Sequence, residues 1–207
     1  MTSKDFRKDP RFLRNEFEGS GKYGFAKIKK QIANVDYSKL LACSDTKSNE
    51  SETYMNYGVH FFVDDFRFRG IYDHPETTLK KYSQYAFLLT PDFSLYREMA
   101  PWRQIESVAM NRWIGAYWQS KGLIVVPTIS WADRGSLEFC FNSIERGTIV
   151  AIGMIGCKHC KSSFMTGYNE MLRQIKPTAV VCFGVPFPEM KGDIITVNYI
   201  DSRRKVR

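Results

Sequence analysis

No apolar run in this sequence approaches the roughly 20 residues that a membrane-spanning helix needs. The opening stretch MTSKDFRKDPRFLR is charged throughout and has no apolar centre, so it does not read as a secretory signal. Both absences point to a cytoplasmic protein with no membrane partner. In that compartment the five cysteines, an odd number, are expected as reduced thiols and not as a disulfide frame. Catalytic signatures are also scarce. No GxSxG elbow frames a serine, His60 lies inside an apolar run, and His74 stands before a helix-starting proline, so no triad is legible. The glycine-rich GSGKYG at 19–24 lacks the GK[ST] ending of a phosphate loop and follows no apolar strand; it reads as a plain loop. A single CxxC, Cys157 to Cys160, is at most half a zinc site, because Cys43, Cys140 and Cys182 are isolated. It is also misplaced for a thioredoxin-like redox pair, since it follows the fourth strand-like run of the main body and not the first. No metal ligand set is therefore assigned. Internal repeats and heptads are absent.

What is present is enough apolar material for a full core: 43% hydrophobic and 14% aromatic residues over 207 positions suit one sizeable domain, or one domain with an appendage. The net charge of +8 is concentrated at the ends. Residues 1–30 carry nine basic and four acidic groups, and residues 191–207 carry five and two, whereas 31–190 balance at sixteen of each. Basic ends of this kind suit phosphate backbones, or simply keep a protein soluble. The stretch SDTKSNESET at 44–53 holds no strongly apolar residue and reads as a linker. The expected organisation is a basic N-terminal segment with a polar linker at 1–56, an α/β domain at 57–200, and a basic tail at 201–207.

Within the domain, short apolar runs recur at GVHFFVDD, YAFLLTPD, LIVVPTIS, TIVAIGMIG and TAVVCFGVP, with DIITVNYI as a possible sixth. Between them lie four helical stretches. HPETTLKKYSQY has Pro75 at the first helical position; PWRQIESVAMNRWIGAYWQSKG carries an apolar stripe and closes on Gly122. DRGSLEFCFNSIERG has capping residues at Asp133 and Ser136, and KSSFMTGYNEMLRQIKP stops at Pro177. Near-continuous apolar strands alternating with helices imply a mainly parallel sheet. The expected fold is α/β: five or six strands with helices on both sides, as an open doubly wound sheet or an incomplete barrel.

In a parallel sheet all strand C-terminal ends share one edge, where ligands bind in such folds. The polar residues of this sequence fall on that edge, while the opposite ends carry little more than Gly122, Gly147 and Pro177. The run FFVDDFRFRG sets Asp64 and Asp65 at the first strand end, and Asp92 follows in TPDFS. These three are the candidate catalytic carboxylates, suited to general-base work or to a Mg²⁺ ion, although the sequence specifies no cofactor. As plain structure they would be salt-bridge partners of Arg67, Arg69 or Arg112, or turn formers. One aspartate is expected to pair with Arg67 or Arg69, and the other to face a pocket with Asp92, Arg112 and Trp131. Candidate ligand contacts are Arg67; Asn111, Arg112, Trp113, Tyr117 and Gln119 on the long helix; Trp131 and Asp133 after LIVVPTIS; and Gly156 and Ser162 where GMIGCKHCKSS can form an anion site at a helix start. An amphipathic helix with a snorkelling arginine, and a core tryptophan, are the structural readings of the same residues.

The run TPDFSLYREM…NRWIGAYWQSKGLIVVPTISW resembles domain-of-unknown-function family 4417, found in phages, plasmids and integrative elements, mainly of Gram-positive bacteria. The resemblance extends from VDDFRF through GSLEFCFNSI and TIVAIGMIG to FMTGYNEMLRQIKP, roughly residues 57–184. It implies a mobile-DNA setting, and places Asp64, Asp65, Asp92, Asn111, Arg112, Trp113, Tyr117, Trp118, Gln119 and Trp131 within matching motifs. The CKHC pair looks peculiar to this sequence. The leading expectation is a protein that binds or processes nucleic acid or a nucleotide at the sheet edge. The alternatives are a metal- or carboxylate-dependent enzyme on a small phosphate- or sugar-containing molecule, and a non-enzymatic binder of a host factor or signalling nucleotide.

Overall fold

The structure, a computed structural model, describes residues 2–35 and 39–204. Two one-turn helices, α1 (Ser3–Phe6) and α2 (Pro10–Leu13), precede an antiparallel pair, β1 (Gly19–Ser20) and β2 (Phe25–Ala26). Then follow β3 (Leu40–Ala42), α3 (Glu52–Met55), β4 (Gly58–His60), α4 (Gly70–Asp73), α5 (Pro75–Tyr82), β5 (Phe87–Leu89), α6 (Pro101–Ser120), β6 (Val125–Val126), β7 (Val150–Gly153), α7 (Lys161–Ile175), β8 (Val180–Phe183) and β9 (Ile194–Val197).

The fold is α/β and its main strands are parallel. They form a four-stranded sheet, β3-β4-β5-β6, and a three-stranded sheet, β7-β8-β9. A parallel bridge between Thr128 and Ala151 joins the two. All six strand runs expected from the sequence are strands, but they are split between two sheets. A seventh, β3, lies in the segment expected to precede the domain and pairs with β4 across the polar linker. Only three apolar residues mark it in the sequence, too few for a period to show.

The expected doubly wound arrangement, with helices on both sides, does not describe this packing. Strand order in space follows strand order in the chain, so no reversal creates a switch point. Right-handed crossovers that always step the same way put their helices on one face. Side chains divide accordingly. Leu41, Val59, Leu88, Val125, Val150, Ile152, Val180 and Cys182 belong to the core shared with α5, α6 and α7. Their neighbours Leu40, Phe87, Leu89, Val126, Ala151, Val181, Phe183 and Val197 form a second core, with Phe62, into which no helix contributes among the described buried residues. The period of two thus sends alternate side chains outward to helices and inward to the facing sheet. Phe62 and Phe183 stack across that inner face with ring centroids 4.8 Å apart, and His60 meets Phe183 at 4.6 Å.

The helix expected over DRGSLEFCFNSIERG is a second correction. Only a single 3-10 turn, Ser136–Glu138, forms there. The carbonyls of Cys140 and Asn142, which a continuing helix would spend on its own N–H groups, are taken instead by the Arg112 guanidinium. Ser143 then adopts a left-handed φ of 65° that ends any helical path.

The N-terminal segment packs on the body. Phe25, Ala26 and Ile28 are buried, and Ile28 reaches α6 at Gly115, where an added Cβ would lie 2.5 Å from its Cδ1. Arg14 lies over the Trp113 ring at 4.0 Å and the Tyr72 ring at 4.2 Å. The C-terminal arginines dock on the linker: Arg204 bonds Glu50 and the Asp45 carbonyl, and Arg203 approaches Asp45 at 3.4 Å. The remaining basic residues of the expected tail, Lys205 and Arg207, lie outside the described residues.

Candidate functional site

The charges of FFVDDFRFRG resolve into separate contacts. Asp64 is exposed and pairs with Arg67 at 3.6 Å, both on the surface, while Arg69 reaches Asp73 at 3.9 Å. Exposed pairs of this kind contribute little to stability. Asp65 turns the other way. Its carboxylate accepts the Ser94 N–H at 3.0 Å and the Ser94 hydroxyl at 2.8 Å, tying the loop after β4 to the loop after β5.

Asp92 stands beside that tie. It is half-buried, at the end of β5. Burial pushes its carboxyl up to about 7; the nearby Ser130 hydroxyl pulls it down, and the like charge of Asp65 adds to the rise. Asp92 is therefore poised to exchange a proton near neutrality. Gly153, at the end of β7, leaves the space: a Cβ there would sit 3.0 Å from the Phe62 ring and 3.8 Å from Asp92 Oδ2. His60 has the opposite character. Its Nδ1 accepts the Phe62 N–H at 3.2 Å, and burial, with the charge of Arg203, brings it down to about 3. It stays neutral and serves the inner core.

Of the α6 candidates, Asn111 and Arg112 lie under the edge and are committed to holding it. Asn111 donates to the carbonyls of Pro91 (2.8 Å) and Thr128 (3.3 Å), fastening the ends of β5 and β6 together. Arg112 is 2% exposed. Trp113, Tyr117 and Gln119 lie in the last two turns of α6, which runs back toward the opposite edge. Trp113 is buried against Arg14 and stacks on Tyr117 at 5.4 Å. Gln119 holds the N-terminal segment by accepting the Lys29 N–H and donating to the Lys29 carbonyl. These three are not brought to the strand-end edge.

Trp131, Asp133 and Ser162 do come together. They line a cavity of about 460 Å³, walled by the loops after β5 and β6 and by the first turns of α7. Trp131 rests against Phe164 at 5.0 Å, and its indole lies so close to α7 that a Cβ on Gly167 would be 2.2 Å from Nε1. Asp133 caps the Ser136 turn by accepting the Ser136 N–H at 3.0 Å. Gly156 takes a left-handed φ of 77° in the turn after β7, clear of the cavity wall. Sequence reasoning missed two cations here, Arg97 and Arg134. Both are exposed, line the cavity, and form no ion pair among the described residues. Each follows a strand-end motif closely, TPDFSLYR and SWADR, which was the available signal. Ser163 and Thr166 add hydroxyls, and no side chain caps the N-terminus of α7. No group of three His, Cys, Asp or Glu side chains is placed to hold a metal ion among the described residues. Burial pushes the Cys157 thiol up to about 12, so it is no ready thiolate.

A parallel α/β chain with a cationic, tryptophan-lined cavity at its strand ends is thus the class of protein defined by fold and site. The chain belongs to the family described as Domain of unknown function (DUF4417), whose model matches residues 17–201. It is 37% identical over 157 residues to the "Gene 1 protein" of Mycobacterium phage D29, and 36% identical over 157 residues to the "Gene 1 protein" of Mycobacterium phage L5. Each match covers 71% of this chain, and 57% and 67% of those phage proteins respectively. These relatives give the chain a phage association. No solved structure matches it. No helix among the described residues is long and apolar enough to cross a membrane.

Proposed function

We propose that the chain binds a phosphate-bearing ligand, a nucleotide or the end of a nucleic acid strand, in the cavity beside Trp131. The observation that carries this reading is the pair Arg97 and Arg134, which line a 460 Å³ cavity and form no ion pair among the described residues, while the one carboxylate in the lining, Asp133, is engaged in capping the Ser136 turn. That volume lies in the range of small-ligand sites. The uncapped start of α7 aims its free N–H groups and positive dipole end at the same space, with the hydroxyls of Ser162 and Ser163 alongside. Trp131 offers a ring for a base.

The test is fluorescence anisotropy with labelled mononucleotides and short single-stranded oligonucleotides across a salt series. Affinity should fall with ionic strength, and R97A/R134A should weaken binding at least about tenfold, since each lost charged hydrogen bond costs roughly 1.5–3 kcal/mol. Binding that ignores both arginines would remove the proposal. A second reading rests on Asp92: a carboxyl near neutrality on the same edge suits a general base in an enzyme acting on a small phosphate- or sugar-containing molecule.

A further inference from the structure

Arg112 poses a problem of charge balance that the cavity beside Trp131 does not solve. Its guanidinium donates to the Asn142 carbonyl from Nε at 3.1 Å, to the Asn111 Oδ1 from Nη1 at 2.5 Å, to the Thr128 carbonyl from Nη1 at a long 3.5 Å, and to the Cys140 carbonyl from Nη2. Every acceptor is neutral. No carboxylate pairs with it among the described residues. Cys140, the titratable neighbour, has its thiol pushed up to about 12 by burial and carries no charge at neutral pH. Burial brings Arg112 itself only down to about 10, so it remains a cation. A guanidinium has five N–H donors, and four contacts leave one unspent. A buried ion without a counter-charge costs several kcal/mol.

A second, independent feature meets it there. Arg112, Asn111, Ser107, Thr128 and Ser130 share the wall of a small cavity lined also by Phe93, Leu95 and Val108. Its volume is about 10 Å³, room for one water-sized particle. Thr128 is 1% exposed, and its Oγ1 has no hydrogen-bond partner. Thr128, whose hydroxyl has no partner, and Arg112, whose charge is unbalanced, thus line one small space.

We propose that this cavity is a site for a single monoatomic anion, chloride under cellular conditions, held by the Arg112 guanidinium and the Thr128 hydroxyl. Space for about one water-sized particle favours a single-atom anion over phosphate, sulfate or a carboxylate. The site is separate from the cavity beside Trp131 and does not depend on what binds there. An anion seated at this point links the roots of the loops after β5 and β6, the loops from which Arg97 and Arg134 extend.

Two measurements decide it. Crystals grown in bromide should show an anomalous peak within hydrogen-bonding distance of Arg112 and Thr128 Oγ1. Thermal melting at constant ionic strength should rise saturably as gluconate, too bulky to enter, is replaced by chloride. Because Arg112 variants can fail to fold, T128V is the informative substitution: it keeps the guanidinium and removes only the hydroxyl. It should raise the chloride concentration for half-maximal stabilisation about tenfold, the size of one hydrogen bond to a charged partner. A cavity particle without anomalous signal in bromide would be water and would overturn the proposal. So would a chloride response shared equally by T128V, which would place the effect on the surface.

Discussion

Replacing Glu50 with Gln should cost up to about 3 kcal/mol at neutral pH and almost nothing in acid. The Glu50 side chain is 1% exposed, its partner Arg204 20%. Its two oxygens accept from Arg204 Nη2 at 2.5 Å, Arg204 Nη1 at 3.2 Å, the Tyr85 hydroxyl at 2.6 Å and the Ser51 N–H at 2.9 Å. Burial alone would raise this carboxyl. The Arg204, Tyr85 and Ser51 hydrogen bonds outweigh it and hold the group down to about 2, against 4.5 for the free side chain. A depressed carboxyl stabilises the fold fully above the unfolded value, and the contribution is lost as pH falls through the folded one. The shift corresponds to a ceiling of about 3 kcal/mol at pH 7, about 1 kcal/mol at pH 3, and next to nothing at pH 2. Urea melts of wild type and E50Q across this range read the difference directly. A gap that is absent at pH 7, or that stays constant from pH 7 to 3, would show that Arg204 is held by its packing over the Tyr54 ring, 4.1 Å away, and not by the Glu50 charge.

Asp92 should behave with the opposite sign. Its carboxyl is raised to about 7, so the charged form strains the fold at high pH. D92N should be more stable than wild type at pH 8, by at most about 4 kcal/mol, with the gap closing as pH falls toward 4; a pH-independent gap counts against it. Gly167→Ala tests the wall of the cavity beside Trp131. Alanine favours a helix by about 1 kcal/mol, but its Cβ would lie 2.2 Å from Trp131 Nε1, and overpacking costs about 1–3 kcal/mol. The expected result is a net loss of stability, a changed near-UV spectrum and weaker ligand binding; a stabilised protein with unchanged Trp signal would show that the indole yields freely.

The strands were legible because burial on both faces demands unbroken apolar runs, and AFLL, IVV, VAIG and AVVCF supply them. Their assembly was not. Apolar runs show that both faces are covered, but not whether a helix or a second sheet does the covering, and Phe62 and Phe183 carry no mark of facing each other. The edge was legible in part. Asp65, Asp92, Trp131 and Ser162 lie on it because each follows a strand. Trp113, Tyr117 and Gln119 do not, since an antiparallel crossover helix carries its last turns away from that edge. Arg112 erased the helix expected beyond Asp133 by taking its carbonyls, a long-range contact invisible to local pattern.

Strand order that copies chain order has a consequence for how the protein is made. From β3 to β9 each new strand leaves the ribosome to find its neighbour already in place, so the sheets can grow by accretion with mostly short loop closures. The inner face has no such help. Leu40, Phe62, Phe87 and Leu89 are in place long before Val181, Phe183 and Val197 arrive to cover them. During synthesis the growing sheet therefore presents a bare apolar concavity for the time it takes to add about a hundred residues, several seconds at bacterial rates. Stalled or truncated chains would keep that surface open, and it is there that chaperones and aggregation would compete.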